Sequence, residues 1–189
     1  MEFENYPDGT PTFFAYTYVS DDAVQQCFDA FKVLTPHQGT VNKQVMREYK
    51  DSLDVSIAPN HNLIIQAEIE EAAKKYWEYF NLQRYYPNGF EIREFLNIQR
   101  YAHSEAGFHE WHCERNTHQF TARRELVFMV YLNDVKEGGE TGWLYQNKKL
   151  TPEKGLLVFW PPQWMFTHKG FPSQDTKTII TGWMDAAPF

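Results

Sequence analysis

The segment Phe108-His109-Glu110-Trp111-His112-Cys113-Glu114 concentrates imidazole, carboxylate and thiol groups in a short stretch. Read as a strand, it alternates its side chains between two faces: Glu110, His112 and Glu114 share one, and His109, Trp111 and Cys113 the other. A His-x-Glu pair on one face can bring one nitrogen and one carboxylate oxygen to the same ion, with a third ligand supplied from elsewhere in the chain. Two nitrogens and one carboxylate on one face of an octahedron leave three positions free, the facial arrangement of non-haem Fe(II) oxygenases. The pair alone is a weak signal, because a chance match is common. Cys27 and Cys113 fit no Cys-x-x-Cys metal spacing and read as reduced thiols.

The elements that must hold such a site can be read around it. Thr12–Val19 is β-branched and aromatic and predicts a strand. Ser20-Asp21-Asp22 supplies an N-cap and dipole-favoured acids for a helix to about Leu34, with Val24, Cys27, Phe28 and Phe31 as its apolar face. Thr35-Pro36 ends it, and a polar loop follows. Asn60–Phe80 predicts a second helix: Leu63, Ile64, Ala67, Ile69, Ala73, Tyr76, Trp77 and Phe80 recur at helical spacing. Glu70 and Lys74 can pair on its surface. The stripe Tyr76, Trp77, Tyr79, Phe80 is assigned to packing against a sheet.

After Asn88-Gly89 the texture changes to short strands: Phe90–Tyr101, Gly107–Glu114, Glu125–Leu132, Gly142–Tyr145, Leu156–Trp160, Met165–His168 and Thr176–Met184. Turn signals separate them at Ser104–Gly107, Glu137-Gly138-Gly139, Pro152–Gly155, Pro161-Pro162 and Lys169-Gly170-Phe171-Pro172. The order predicts an α+β, mainly β fold, a jelly roll or double-stranded β-helix with helices packed outside and a mouth between two sheets. One domain is expected over 1–189, with the N-terminal strand and helices in 1–89 and the jelly-roll core in 90–189.

The chain's 189 residues suffice for one substantial core, and an aromatic share of 17% argues for strands and apolar pocket walls and against disorder. With a net charge of −7 and no Lys/Arg run to track phosphates, nucleic acid is disfavoured as a partner. The opening MEFENYPDG lacks the cationic-then-apolar order of a signal peptide, and no apolar stretch approaches the roughly 18 residues of a membrane helix. A cytoplasmic location with no membrane partner is expected.

From about Glu91 to Met184 the chain resembles the catalytic core of the prolyl-4-hydroxylase-like branch of the Fe(II)/2-oxoglutarate oxygenases. That family shows a strand Tyr, a His-x-Asp, an Arg leading a strand that ends Tyr-Leu-Asn, a Gly-Gly-Glu-Thr turn and Pro-x-x-Gly before an apolar strand. A distal His, a basic residue about nine positions later and a Trp close the pattern. Here stand Tyr101, His112-x-Glu114, Arg124, Tyr131-Leu132-Asn133, Gly138-Gly139-Glu140-Thr141 and Pro152-Glu153-Lys154-Gly155. Leu156–Trp160, His168, Lys177 nine positions after it, and Trp183 complete the series.

The resemblance implies that His112, Glu114 and His168 hold Fe(II), and that Lys177 with Tyr131 binds the distal carboxylate of 2-oxoglutarate. It sets Tyr101 beside the metal-chelating end of that cosubstrate, and Arg124 and Trp183 near substrate. Independently, Lys177 lies on the apolar run Thr176–Trp183, where a lone ammonium is costly unless it meets an anion. Fe²⁺, one carboxylate ligand, the dianionic cosubstrate and one lysine also sum to zero charge.

The implied activity is hydroxylation of a C–H bond in a prolyl residue of a peptide or protein, or in a small amino-acid-like molecule. O₂ would be consumed, succinate and CO₂ released, and ascorbate would be an optional auxiliary. The family mostly has aspartate where Glu114 stands; one more methylene extends the reach by about 1.5 Å and leaves a carboxylate able to ligate. Halogenases put Gly or Ala there, so hydroxylation is expected over halogenation. His103 and His109 are not expected as ligands, His118 falls in a loop expected to cover the pocket mouth, and Gly138-Gly139 is explained by its turn. The competing reading is a non-catalytic or Zn-binding cupin-like jelly roll, which takes the same N, N, O ligands but needs no dicarboxylate clamp.

Overall fold

Two antiparallel sheets with two helices outside the larger one make up the computed structural model, which describes residues 1–41, 44–59, 61, 63–102 and 104–188. In chain order, β1 (Glu2–Asn5) and β2 (Pro11–Tyr18) precede α1 (Asp21–Val33), and β3 (His37–Gln38) and β4 (Leu53–Ile57) precede α2 (Ile64–Tyr79). Then come β5 (Phe90–Glu91), β6 (Leu96–Tyr101), β7 (Phe108–His112), β8 (Arg124–Tyr131) and β9 (Thr141–Trp143). β10 (Lys148–Leu150), β11 (Leu156–Trp160), β12 (His168–Gly170) and β13 (Lys177–Ala186) complete the order. The larger sheet runs β1-β2-β11-β8-β13-β6-β4-β3, with β5 also paired to β13; the smaller runs β10-β9-β12-β7. This is the jelly roll expected from the run of short strands.

Strand alternation sorts the larger sheet into two cores. Along β8, Leu126, Phe128 and Val130 join the core under the helices, while Val127, Met129 and Tyr131 join the core between the sheets. Leu157 and Phe159 against Leu156, Val158 and Trp160 repeat the division on β11. Each such side chain, fully buried, contributes roughly 1.5–3 kcal/mol. The helices close the first core with Val24 and Cys27 from α1 and Ile65, Ile69, Ala73 and Tyr76 from α2. Their ends are tied together: the Ser20 hydroxyl accepts from the Ala23 N–H at 3.2 Å and donates to Glu68 of α2 at 2.6 Å.

Several expectations need correction. The second helix begins at Ile64, not Asn60, where the Gln26 amide oxygen takes up the Ile64 N–H at 2.7 Å; Asn60 itself lies outside the described residues. Ile64 and Ala67 are exposed, so the buried face turns toward Ile65 and Ala72 instead. Glu70 accepts from Gln66, and the surface ion pair is Glu71–Lys75 at 2.8 Å rather than Glu70–Lys74. Phe90–Tyr101 is broken into β5 and β6. Met165–His168 is a 3₁₀ turn over Trp164–Phe166 that runs into β12, so Lys169 and Gly170 are strand rather than turn. Residues 1–89 supply four strands to the larger sheet, not one; β4, with Asp and Ser among its five residues, has no strong strand signature.

Candidate active site

His112 ends β7 and His168 opens β12, and the two face each other in register. Each imidazole is oriented the same way: Nδ1 of His112 bonds the Glu110 carbonyl at 2.8 Å, and Nδ1 of His168 bonds the Phe166 carbonyl at 2.9 Å. A carbonyl can only accept, so both Nδ1 atoms carry the proton and both Nε2 lone pairs are free to ligate. Phe108 stacks on the His112 ring at 3.9 Å, and Trp160 meets the His168 ring edge-on at 5.0 Å. These contacts leave the rings little freedom to turn.

The shared strand face does not deliver the third group. β7 stops at His112, and Glu110 is exposed. Glu114 arrives through the loop, whose course is fixed by the Glu114 and Arg115 N–H groups donating to the Pro162 carbonyl at 3.1 and 3.0 Å. Its Oε1 then lies 3.5 Å from His112 Nε2 and 3.4 Å from His168 Nε2. Among the described residues this is the one group of three metal-ligating side chains, with donor atoms all within 4.8 Å of each other. Neighbouring donors about 2.1 Å from one ion in an octahedron lie about 3 Å apart, so the set fits a small divalent cation with modest closure. Burial alone would raise the Glu114 carboxyl, but the two imidazoles beside it, when they carry a second proton on Nε2, outweigh burial through hydrogen bonding and charge and hold it well below the usual range. Burial, with His112 nearby, pushes His168 down, toward the neutral form a metal requires.

These three side chains line a cavity of about 340 Å³ between the sheets. Lys177, Ile179, Thr181 and Trp183 enter it from alternate positions of β13, the strand between β8 and β6. Lys177 is 3% exposed, and among the described residues it has neither an ion-pair partner nor a side-chain hydrogen bond. Its burial, only partly offset by Glu140, pulls its pKa down to about 7. The Lys177 Nζ lies 5.8 Å from the Tyr101 ring centre and 5.4 Å from that of Tyr131. Tyr101 lines the cavity and donates to Gln99 at 2.8 Å. Tyr131 sits behind the wall, its hydroxyl 2.9 Å from Thr141 Oγ1 and 3.1 Å from the Leu150 carbonyl; Thr141 is the lining residue.

Arg124 and Trp183 are both present at the cavity, stacked on each other at 3.5 Å. Arg124 is occupied by Glu94 and Glu114 rather than free. The cavity wall also includes Asn116 and Thr121, which flank His118, while His118 itself is exposed. His109 is off the site, and His103 lies outside the described residues. Gly138 and Gly139 both have positive φ, 76° and 72°, as their turn requires.

Residues 96–185 match the family model of the 2OG-Fe(II) oxygenase superfamily. The chain carries a 2OG-Fe(II) oxygenase domain. Fe(II) and 2-oxoglutarate are therefore its cofactors, and the open N, N, O donor set and the unpaired Lys177 in one cavity suit both. Solved structures share the fold. A viral collagen prolyl hydroxylase from Paramecium bursaria Chlorella virus-1, in complex with 2OG, is 19% identical with a TM-score of 0.67, over 93% of this chain and 97% of that one. A Pseudomonas putida prolyl-4-hydroxylase is 16% identical with a TM-score of 0.70, over 92% of each chain. A Trichoplax adhaerens prolyl hydroxylase in complex with a hypoxia inducible factor peptide fragment is 16% identical with a TM-score of 0.69, over 92% and 84%. No curated protein matches the sequence.

The oxygenase domain also borrows wall from the N-terminal half, which the sequence did not reveal. Lys50, 5% exposed, lines the cavity, with its Nζ 2.6 Å from Asp54 and 5.8 Å from the centre of the Phe108 ring. Lys50 bridges to Phe108 in the backbone, and the His109 N–H donates to the Tyr49 carbonyl at 2.7 Å. A lone lysine in a polar loop gives no warning of that role. Thr141 was within reach, since it closes the Gly-Gly-Glu-Thr turn at the start of β9.

Proposed function

We propose that the protein is a prolyl hydroxylase whose metal ligands are His112, Glu114 and His168, with Lys177 as the anchor for the distal carboxylate of 2-oxoglutarate. The observation that carries this reading is an unpaired buried ammonium in the same cavity as an open three-ligand set. A metal binder without cosubstrate would have no use for such a costly charge. When bound, iron with 2-oxoglutarate and O₂ supplies the oxidising power that hydroxylates a C–H bond, leaving succinate and CO₂.

The chain's own residues hold and shield. The two Nδ1 bonds present Nε2 lone pairs without a proton to lose, and Glu114 offers a charged oxygen between them. Lys177 neutralises the far end of the cosubstrate, with Thr141 and its partner Tyr131 forming the polar wall near it. Met129, Trp160 and Ile179 line the cavity with apolar surface that keeps water from the reacting atoms. A prolyl residue of a peptide is the favoured substrate because the fold is shared with prolyl hydroxylases, one of them carrying a peptide. With Cys27 and Cys113 both unpaired, a reducing compartment such as the cytoplasm belongs to the same proposal, as does a single domain over 1–189. Among the described residues no helix is long and apolar enough to cross a membrane.

Succinate release with Fe(II), 2-oxoglutarate and ascorbate, read beside mass spectrometry of a panel of proline-containing peptides and free amino acids, tests the reading. A +16 Da peptide product is expected. Products only among free amino acids would replace the substrate, and absence of 2-oxoglutarate binding to the Fe(II)-loaded protein would end the proposal.

A further inference from the structure

The resemblance sets Arg124 near substrate, yet its guanidinium is already committed. Nε and Nη2 each donate to one oxygen of Glu94 at 2.7 Å, a two-point fork that uses the flat edge of the group. Nη1 is left for Glu114: it meets the backbone carbonyl at 2.9 Å and Oε2 at 3.2 Å. The guanidinium plane lies 3.5 Å from the Trp183 ring, and Arg124 is 8% exposed. The Glu114 carboxylate is thus divided, Oε2 to Arg124 and Oε1 between the two histidines.

We propose that Glu94 and Arg124 form a brace that fixes Glu114 as a one-oxygen ligand and so lets glutamate serve where a shorter aspartate would need no such support. The inference rests on Glu114 ligating the metal. A carboxylate with both oxygens free can take two coordination positions; with two histidines that leaves two, where the reaction needs three. Glutamate also has one more torsion than aspartate to wander in. Glu94 matters because an Arg124 without it would present its fork to Glu114 and draw both oxygens away from the metal. With the fork filled, only Nη1 reaches Glu114, and only one of its two contacts falls on the carboxylate. Arg124 is in this account a positioning residue.

Co(II) is the probe, since its d–d absorption reports coordination number while calorimetry gives its affinity. Arg124→Gln and Glu94→Gln are expected each to weaken Co(II) binding by about tenfold or more, the range seen for partners of metal ligands, and to shift the d–d bands. Combining Arg124→Gln with Glu114→Asp should shrink that loss to about twofold, because the shorter ligand depends less on the brace. Should Arg124→Gln fail to fold, Glu94→Gln, which keeps the Arg124–Trp183 stack, decides. Unchanged affinity and spectrum in Glu94→Gln, or an Arg124→Gln loss undiminished in the Glu114→Asp background, would overturn the brace and leave the metal site standing. Loss of Co(II) binding in neither His112→Ala nor His168→Ala would instead remove the metal site, and the brace with it.

Discussion

The two faces of the larger sheet are made by the same strands and could hardly differ more. Toward the helices, Leu126, Phe128 and Val130 of β8 and Ile180 and Met184 of β13 form a closed apolar core. One residue over, β13 presents Lys177, Thr181 and Trp183 to a cavity, and β6 adds Gln99 and Tyr101. Trp160 and Trp183 on this side have buried indole N–H groups without partners among the described residues. A protein that must keep unpaired polar groups on one face needs the other to hold it together. Stability and chemistry are separated here by one step along a strand, about 3.3 Å.

Substitutions on the two faces should therefore part company. Phe128→Ala on the helix side is expected to cost about 3–5 kcal/mol, measured by urea unfolding, through lost burial and the cavity left behind. On the other face, Lys177→Met should do the reverse. Removing an unpaired buried ammonium raises the thermal midpoint by a few degrees, while 2-oxoglutarate affinity measured by calorimetry falls by about a hundredfold, the worth of roughly 2.7 kcal/mol. A Lys177→Met variant that binds 2-oxoglutarate normally would erase the contrast.

pH gives a finer cut. The folded Lys177 has a pKa of about 7, depressed from 10.5, so the unfolded chain holds the proton more tightly. Its burial penalty is fully present below pH 7, and stability rises between about pH 7 and 10.5 as the folded lysine sheds the charge. On the proposed anchoring by Lys177, cosubstrate binding should run the other way, because the carboxylate would need the ammonium. Affinity should drop about thirtyfold from pH 6 to pH 8.5, with proton uptake visible as a buffer-dependent binding enthalpy. The smallest expected effect is at Gly170, where an added Cβ would lie 3.7 Å from Lys177 Nζ. Gly170→Ala should weaken 2-oxoglutarate by about threefold, within ordinary steric costs, and leave stability within about 0.5 kcal/mol.

Local signals carried much of this fold. Leu156–Trp160 is read to the residue because a continuous apolar run lies between Gly155 and Pro161. β4 escapes because its Asp54, supported by Ser52 just before the strand, serves a buried ion pair rather than a water-facing row, a fact that depends on Lys50. Met165–His168 has strand-like residues, yet the Thr167 N–H and hydroxyl both turn back to the Trp164 carbonyl and close a helical turn. At the site, the nine-residue step from His168 to Lys177 was legible, since each is set by its own strand. Strand alternation points to Glu114, yet β7 ends at His112 and a loop brings Glu114 in. The Glu94 contact to Arg124 joins residues 30 positions apart through side chains alone, and no periodicity announces it.

The pairing of His112 with His168 across β7 and β12 has a mechanical consequence. A slip of one residue between these strands would turn one imidazole away from the other, because successive side chains face opposite sides. An ion gripping both rings would then act as a rivet through the smaller sheet, admitting a single alignment of two short strands that few backbone bonds would otherwise enforce. On the proposed ligation, loading the metal would lock the register that the two strands already adopt.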